Sequence, residues 1–171
     1  MPVESYPWRL KLPLPLCAYS RYTMKIRGHH LVCTYCFDGS GKDKAEDFFG
    51  IQNAIPQLLQ KLRQNPDMEI TAVADRDDVC AICPLKKPNG CGRSSDAFGQ
   101  NEKLRGWDRA ILQALDLKEG EHINAKELEA RIQERIPDIS RFCTNCTSSS
   151  PSGWAEYRKA ILKGLWSEKT A

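Results

Sequence analysis

The chain has 171 residues, 41% of them apolar and 27% charged, with a formal net charge of +3 at pH 7. That length suits one domain with a real core, and the composition is that of an ordinary soluble globular protein. No apolar run approaches the roughly 20 residues a membrane helix needs, and the charge is too small to point to nucleic acid.

Basic charge gathers at the front, where Arg9, Lys11, Arg21, Lys25 and Arg27 face Glu4 alone across residues 1–28. Pro2, Pro7, Pro13 and Pro15 break up the same region, which shows no periodicity. Residues 1–23 are therefore expected to be a disordered or extraneous extension, with a single cysteine-rich domain over 24–171. The apolar run Leu12–Leu16 is too short and too proline-broken for a signal segment. Leu16 is also too bulky to precede a lipidated Cys17. The expected compartment is the cytoplasm, where thiols persist as metal ligands.

Lys25–Arg27 can pair as a strand with Met68–Ala72, where Met68, Ile70 and Ala72 alternate with polar neighbours. A helix is expected from about His29. Phe48, Ile51, Ile55, Leu58 and Leu62 then step by three and four as an amphipathic helix, with a kink or restart at Pro56. Leu104, Trp107, Ile111, Ala114 and Leu115 form a second stripe, which ends near Gly120. Asn124 with Glu127 reads as a capping box opening a helix through Leu128, Ile132 and Ile136, which Pro137 closes. Ser150–Pro151 can start a last helix bearing Trp154, Tyr157, Ile161 and Leu165 on one face. These elements predict an α+β fold, mainly α. Several amphipathic helices would surround a small two-stranded β element, with cysteine-bearing loops gathered around one metal or cluster site.

Six of the eight cysteines are paired as C-x2-C: Cys33/Cys36, Cys80/Cys83 and Cys143/Cys146. Two intervening residues let a tight turn aim both sulfurs at one ion or cluster. Cys91 extends the middle pair to C-x2-C-P-x6-C. Pro84 restricts Cys83 to extended backbone, as after cluster cysteines of bacterial ferredoxins. Aligning Cys80 with Cys143 also aligns Cys83 with Cys146, Gly90 with Gly153, and Cys91 with Trp154. The shared pattern suggests two similar turns, the second lacking its third thiol.

Three ligand sets stand side by side. A [4Fe–4S] cluster would take Cys80, Cys83 and Cys91, with Cys143 or Cys146 as the fourth thiolate. A closed structural zinc would use Cys80, Cys83, Cys143 and Cys146. In a helix, His29, Cys33 and Cys36 share one face at i, i+4 and i+7, which could hold a metal. Otherwise these are hydrogen-bonded core residues and small apolar fillers. His29, His30, Asp77 and Asp78 are the candidates for acid/base work. Paired aspartates more often cap a turn or accept backbone N–H groups around a ligand loop. Gly39–Lys44 lacks the spacing and the Ser/Thr of a phosphate loop.

At MKIRGHHLVC, DDVCAICP and FCTNC the chain resembles a family of small bacterial and archaeal proteins catalogued as domain of unknown function 1284, some of them labelled iron–sulfur binding. The ordered set is Arg27-Gly28-His29-His30-Leu31 with Cys33, then Asp77-Asp78 with Cys80, Cys83, Pro84 and Cys91, then Asp108, then Cys143 and Cys146. It spans Met24 to the second cysteine unit. Trp154 stands where the family's second unit closes with a cysteine, and Cys36 is an addition. The resemblance implies cluster binding and no particular reaction. The leading expectation is an iron–sulfur protein with an electron-transfer, sensing or structural role and an unspecified redox or protein partner. The alternatives are a zinc-stabilised interaction module and a cluster-dependent enzyme using His29 or His30.

Overall fold

The computed structural model describes residues 23–88, 90–91, 100–143 and 151–167. The expectations for residues 1–22, Cys17 and Cys146 lie outside the described residues.

Strand β1 (Thr23–Arg27) runs straight into helix α1 (Gly28–Ser40). Helices α2 (Ala45–Phe49) and α3 (Ile55–Gln64) lead to strand β2 (Glu69–Val73). A short helix α4 (Asp78–Ile82) opens onto a hairpin of β3 (Lys86–Lys87) and β4 (Gly90–Cys91). Helix α5 (Gln100–Ala114), strand β5 (His122–Asn124) and helices α6 (Ala125–Arg135) and α7 (Pro151–Lys163) complete the described chain.

The fold is mainly α with little β, as the periodicity implies. β1 and β2 pair in parallel, with Met24 opposite Ile70. The main sheet has a third strand, however: β5 adds antiparallel to β2, with Ile123 opposite Ile70, in the order β1-β2-β5. Three residues with one apolar side chain carry no alternation to detect, so β5 is silent in the sequence.

The break at Pro56 is a restart. Gly50 caps α2 in the left-handed region at φ 69°, and Pro56 stands in the first turn of α3, where its missing N–H leaves no bond unmade. Asn124 caps α6 by accepting from the Lys126 N–H at 3.0 Å, while Glu127 accepts from Arg131.

α1 is the centre of the molecule. Leu31, Val32, Cys33, Tyr35, Cys36 and Phe37 are all buried, so the helix is apolar on every side and must be enclosed. It packs chiefly on α7, then on α3 and α5. Two glycines permit that closeness. A Cβ at Gly28 would sit 2.7 Å from the Asp108 carbonyl oxygen of α5, and one at Gly39 would overlap the Glu156 carbonyl oxygen of α7. The buried Tyr157 phenol donates to the Ile136 carbonyl at 2.8 Å, and the Trp166 indole N–H to the Leu62 carbonyl at 3.0 Å.

The letter repeat is not a structural repeat. Gly90-Cys91 forms a hairpin strand, whereas Gly153 and Trp154 lie inside α7. Cys80 sits in α4, whereas Cys143 follows α6 in a turn that donates its N–H to the Ile139 carbonyl.

Candidate metal centre

β1 is an edge strand, and its outer N–H groups need partners. The paired aspartates supply them: Asp78 Oδ2 accepts from the Lys25 N–H and Asp77 Oδ2 from the Arg27 N–H, both at 2.8 Å. Asp77 is also the N-cap of α4, its Oδ1 accepting from the Cys80 N–H at 2.8 Å. The same Oδ2 meets His30 Nδ1 at 2.7 Å. One carboxylate therefore ties down the strand edge, the Cys80 backbone and the His30 ring.

Asp108, fully buried on α5, does the matching task behind the site. Its Oδ1 accepts from the His29 N–H and faces His29 Nδ1, both at 2.8 Å. Its Oδ2 takes Arg27 Nε at 2.7 Å and Nη2 at 2.6 Å. The close approach at Gly28 is what brings α5 within reach of both.

Between these anchors lies a cavity of about 230 Å³. Cys80, Cys83 and Cys91 line it, together with both histidines. Cys83 follows α4 with extended backbone (φ −72°, ψ 131°), the geometry that Pro84 requires. The hairpin pairs Cys91 with Lys86 and so returns the third cysteine to the cavity that the first two line. Arg76 holds that hairpin by donating to the Lys87 and Pro88 carbonyls at 3.0 and 2.7 Å. His30, Asp77 and Cys80 form a group whose ligand atoms all lie within 4.8 Å of one another.

The electrostatics separate the roles. Burial pushes the Asp77 carboxyl up, but His30 and the N–H groups of Arg27 and Cys80 outweigh it and hold the group well below the usual range. Burial and then the Asp77 charge raise the Cys80 thiol to about 11. A thiol so raised is protonated at pH 7 and is no activated nucleophile. A bound metal would displace its proton. Burial and the neighbouring His30 lower His29 to about 4. His29 is thus neutral, with Nδ1–H donated to Asp108 and its ring stacked on Trp107 at 5.0 Å. Burial also opposes the Asp108 charge, but the hydrogen bond from His29 and the Arg27 ion pair outweigh it and hold that carboxylate below the usual range.

The sequence-derived candidates therefore fall into two places. Cys80, Cys83, Cys91, His30 and Asp77 share the cavity. His29 touches its wall but is committed to Asp108 and Trp107, and Asp78 caps the strand edge. Cys33 and Cys36 are buried on α1 and Cys143 is buried after α6. Tyr157 is driven well above the ordinary phenol range by burial, reinforced by the nearby Cys36 and Cys143. These thiols do not line the cavity.

Sequence reasoning assigned no role to Arg27, Arg76 or Arg105. Arg27 is ion-paired with Asp108 and Arg105 with Asp75, which leaves Arg76 and Lys86 facing Asp77 around the cavity. The donor set fits a thiolate-bound metal centre: three soft donors and one imidazole.

A mainly α fold presenting three thiols, an imidazole and a carboxylate to one cavity defines a candidate metal-binding protein. The chain belongs to the family described as "Protein of unknown function (DUF1284)", whose model matches residues 46–151, more than half of the chain. The matched stretch carries Asp77, Cys80, Cys83, Cys91, Asp108, Cys143 and Cys146, and begins after His30. No curated protein and no solved structure matches the chain.

Proposed function

We propose that this chain is a cytoplasmic iron–sulfur protein carrying a [4Fe–4S] cluster on Cys80, Cys83 and Cys91. One observation carries the reading: the three cysteines of C-x2-C-P-x6-C line a single cavity. A thiolate-ligated cluster is anionic, and Arg76 and Lys86 line the place beside the cysteines. Arg27 Nη1 lies 4.0 Å from Cys80 Sγ, a long N–H···S contact of the kind that tunes cluster potential. The role is electron transfer, sensing or structural support, with a redox protein as partner.

The compact His30–Asp77–Cys80 group, with Asp77 bonded to His30 Nδ1, favours a second reading, a zinc site. Anaerobic purification with iron, sulfide and zinc analysis separates the two. About four irons and four sulfides per chain are expected, with a broad visible absorption. Cys80→Ser, Cys83→Ser and Cys91→Ser should each abolish both, because serine lacks the soft donor. One zinc per chain without sulfide would replace the cluster by the zinc reading.

A further inference from the structure

The geometry points to His30 Nε2 as the fourth ligand of the centre held by Cys80, Cys83 and Cys91. This assignment rests on the metal-centre reading above. Three thiolates leave one position open, in a cluster and in a tetrahedral zinc site alike.

Several observations converge on His30. It lines the same cavity as the three cysteines, and one of its ring nitrogens lies within 4.8 Å of the Cys80 sulfur and an Asp77 oxygen. Nδ1 is committed to Asp77 Oδ2 at 2.7 Å. With Nδ1–H donated to that carboxylate, Nε2 keeps its lone pair and its orientation, which is how metal-bound histidines are commonly prepared. The residue itself is held in the first turn of α1, where the Thr34 hydroxyl donates to the His30 carbonyl at 2.7 Å. Asp77 is the orienting group and not the ligand. Both of its oxygens already accept from Arg27, Cys80 or His30, and turning one toward a metal would strand a buried donor.

Among the described residues the competing donors are placed elsewhere. His29 gives Nδ1 to Asp108 and stacks on Trp107. Cys143 is buried beside Tyr157, away from the cavity wall. Replacing a thiolate by a neutral imidazole leaves the centre less negative and raises its reduction potential.

The test uses the full chain reconstituted anaerobically with ferrous iron and sulfide. Pulsed EPR of the reduced centre should show a directly coupled nitrogen whose signal changes with 15N-labelled histidine. His30→Cys should keep iron and sulfide, lose that coupling and lower the reduction potential. His30→Ala and Asp77→Asn should each weaken metal retention roughly tenfold or more, whereas Cys143→Ala should leave both metal content and nitrogen coupling intact. If the chain takes up zinc instead, X-ray absorption should give three sulfurs and one nitrogen. A loaded centre with an all-sulfur shell overturns this inference and leaves the metal-centre reading standing. A chain that takes up neither metal overturns both.

Discussion

Asp77 and Asp108 each serve several donors at once, and this sharing organises the site. Asp108 is fully buried and holds Arg27 through two guanidinium nitrogens and His29 through backbone and ring. Removing it would leave the Arg27 cation, itself only 5% exposed, without its counter-charge. Asp108→Ala should therefore cost about 3–5 kcal/mol in urea denaturation, the range for breaking a buried ion pair. A loss below about 1 kcal/mol would show that Arg27 finds water. The two aspartates differ in how readable they are. Asp77 stands three residues before Cys80, and its capping role follows from that local spacing. Asp108 bonds residues 79 and 81 positions away. Its only trace in the sequence is an acid between Trp107 and Ile111, inside an otherwise apolar stripe. Arg27 and Arg105 reach Asp108 and Asp75 across 81 and 30 positions, and such long-range ion pairs have no periodicity.

Helices announce themselves through period and caps, and here that covers α3, α5, α6 and α7. Short strands and close contacts do not. The segment Gly39–Gly41 shows why. It reads as a failed phosphate loop, yet its two glycines do unrelated things. Gly39 lies against the α7 backbone, whereas Gly41 caps α1 at φ 64° with open space around the position of a Cβ. Gly39→Ala must push α7 away from the most extensive helix contact in the described fold, an overpacking cost of about 1–3 kcal/mol or more. Gly41→Ala meets no atoms and should cost only the left-handed penalty of about 1 kcal/mol. Chemical denaturation of the pair checks the order; equal losses would mean that α7 shifts freely. The cysteine repeat failed for a related reason. Matching letters fix the spacing of thiols, but the residues after Gly90 and Gly153 enter a hairpin in one case and a helix in the other.

At the scale of the molecule, the cavity lies where distant parts of the chain meet: the β1–α1 junction, the α4–hairpin segment, and Arg105 of α5. A centre bound by His30, Cys80, Cys83 and Cys91 would cross-link residues some sixty positions apart. It would close a long loop in the folded state that the unfolded chain leaves open. Binding to the native state alone also stabilises by mass action, about 2.7 kcal/mol when free metal is a hundredfold above its dissociation constant. For a chain of this size about 1 kcal/mol moves the midpoint by roughly 2–4 °C. Anaerobic calorimetry should therefore place the loaded protein about 5–10 °C above the chelated protein. The gap should shrink in His30→Ala, since that variant unhooks α1 from the linkage while keeping the α4–hairpin thiols. Asp108→Ala should lower both midpoints together, because its ion pair is formed with or without metal. A loaded protein that melts with the chelated one would mean that the unfolded chain holds the centre as tightly, as a local site on the α4–hairpin segment with no tie to the β1–α1 junction could.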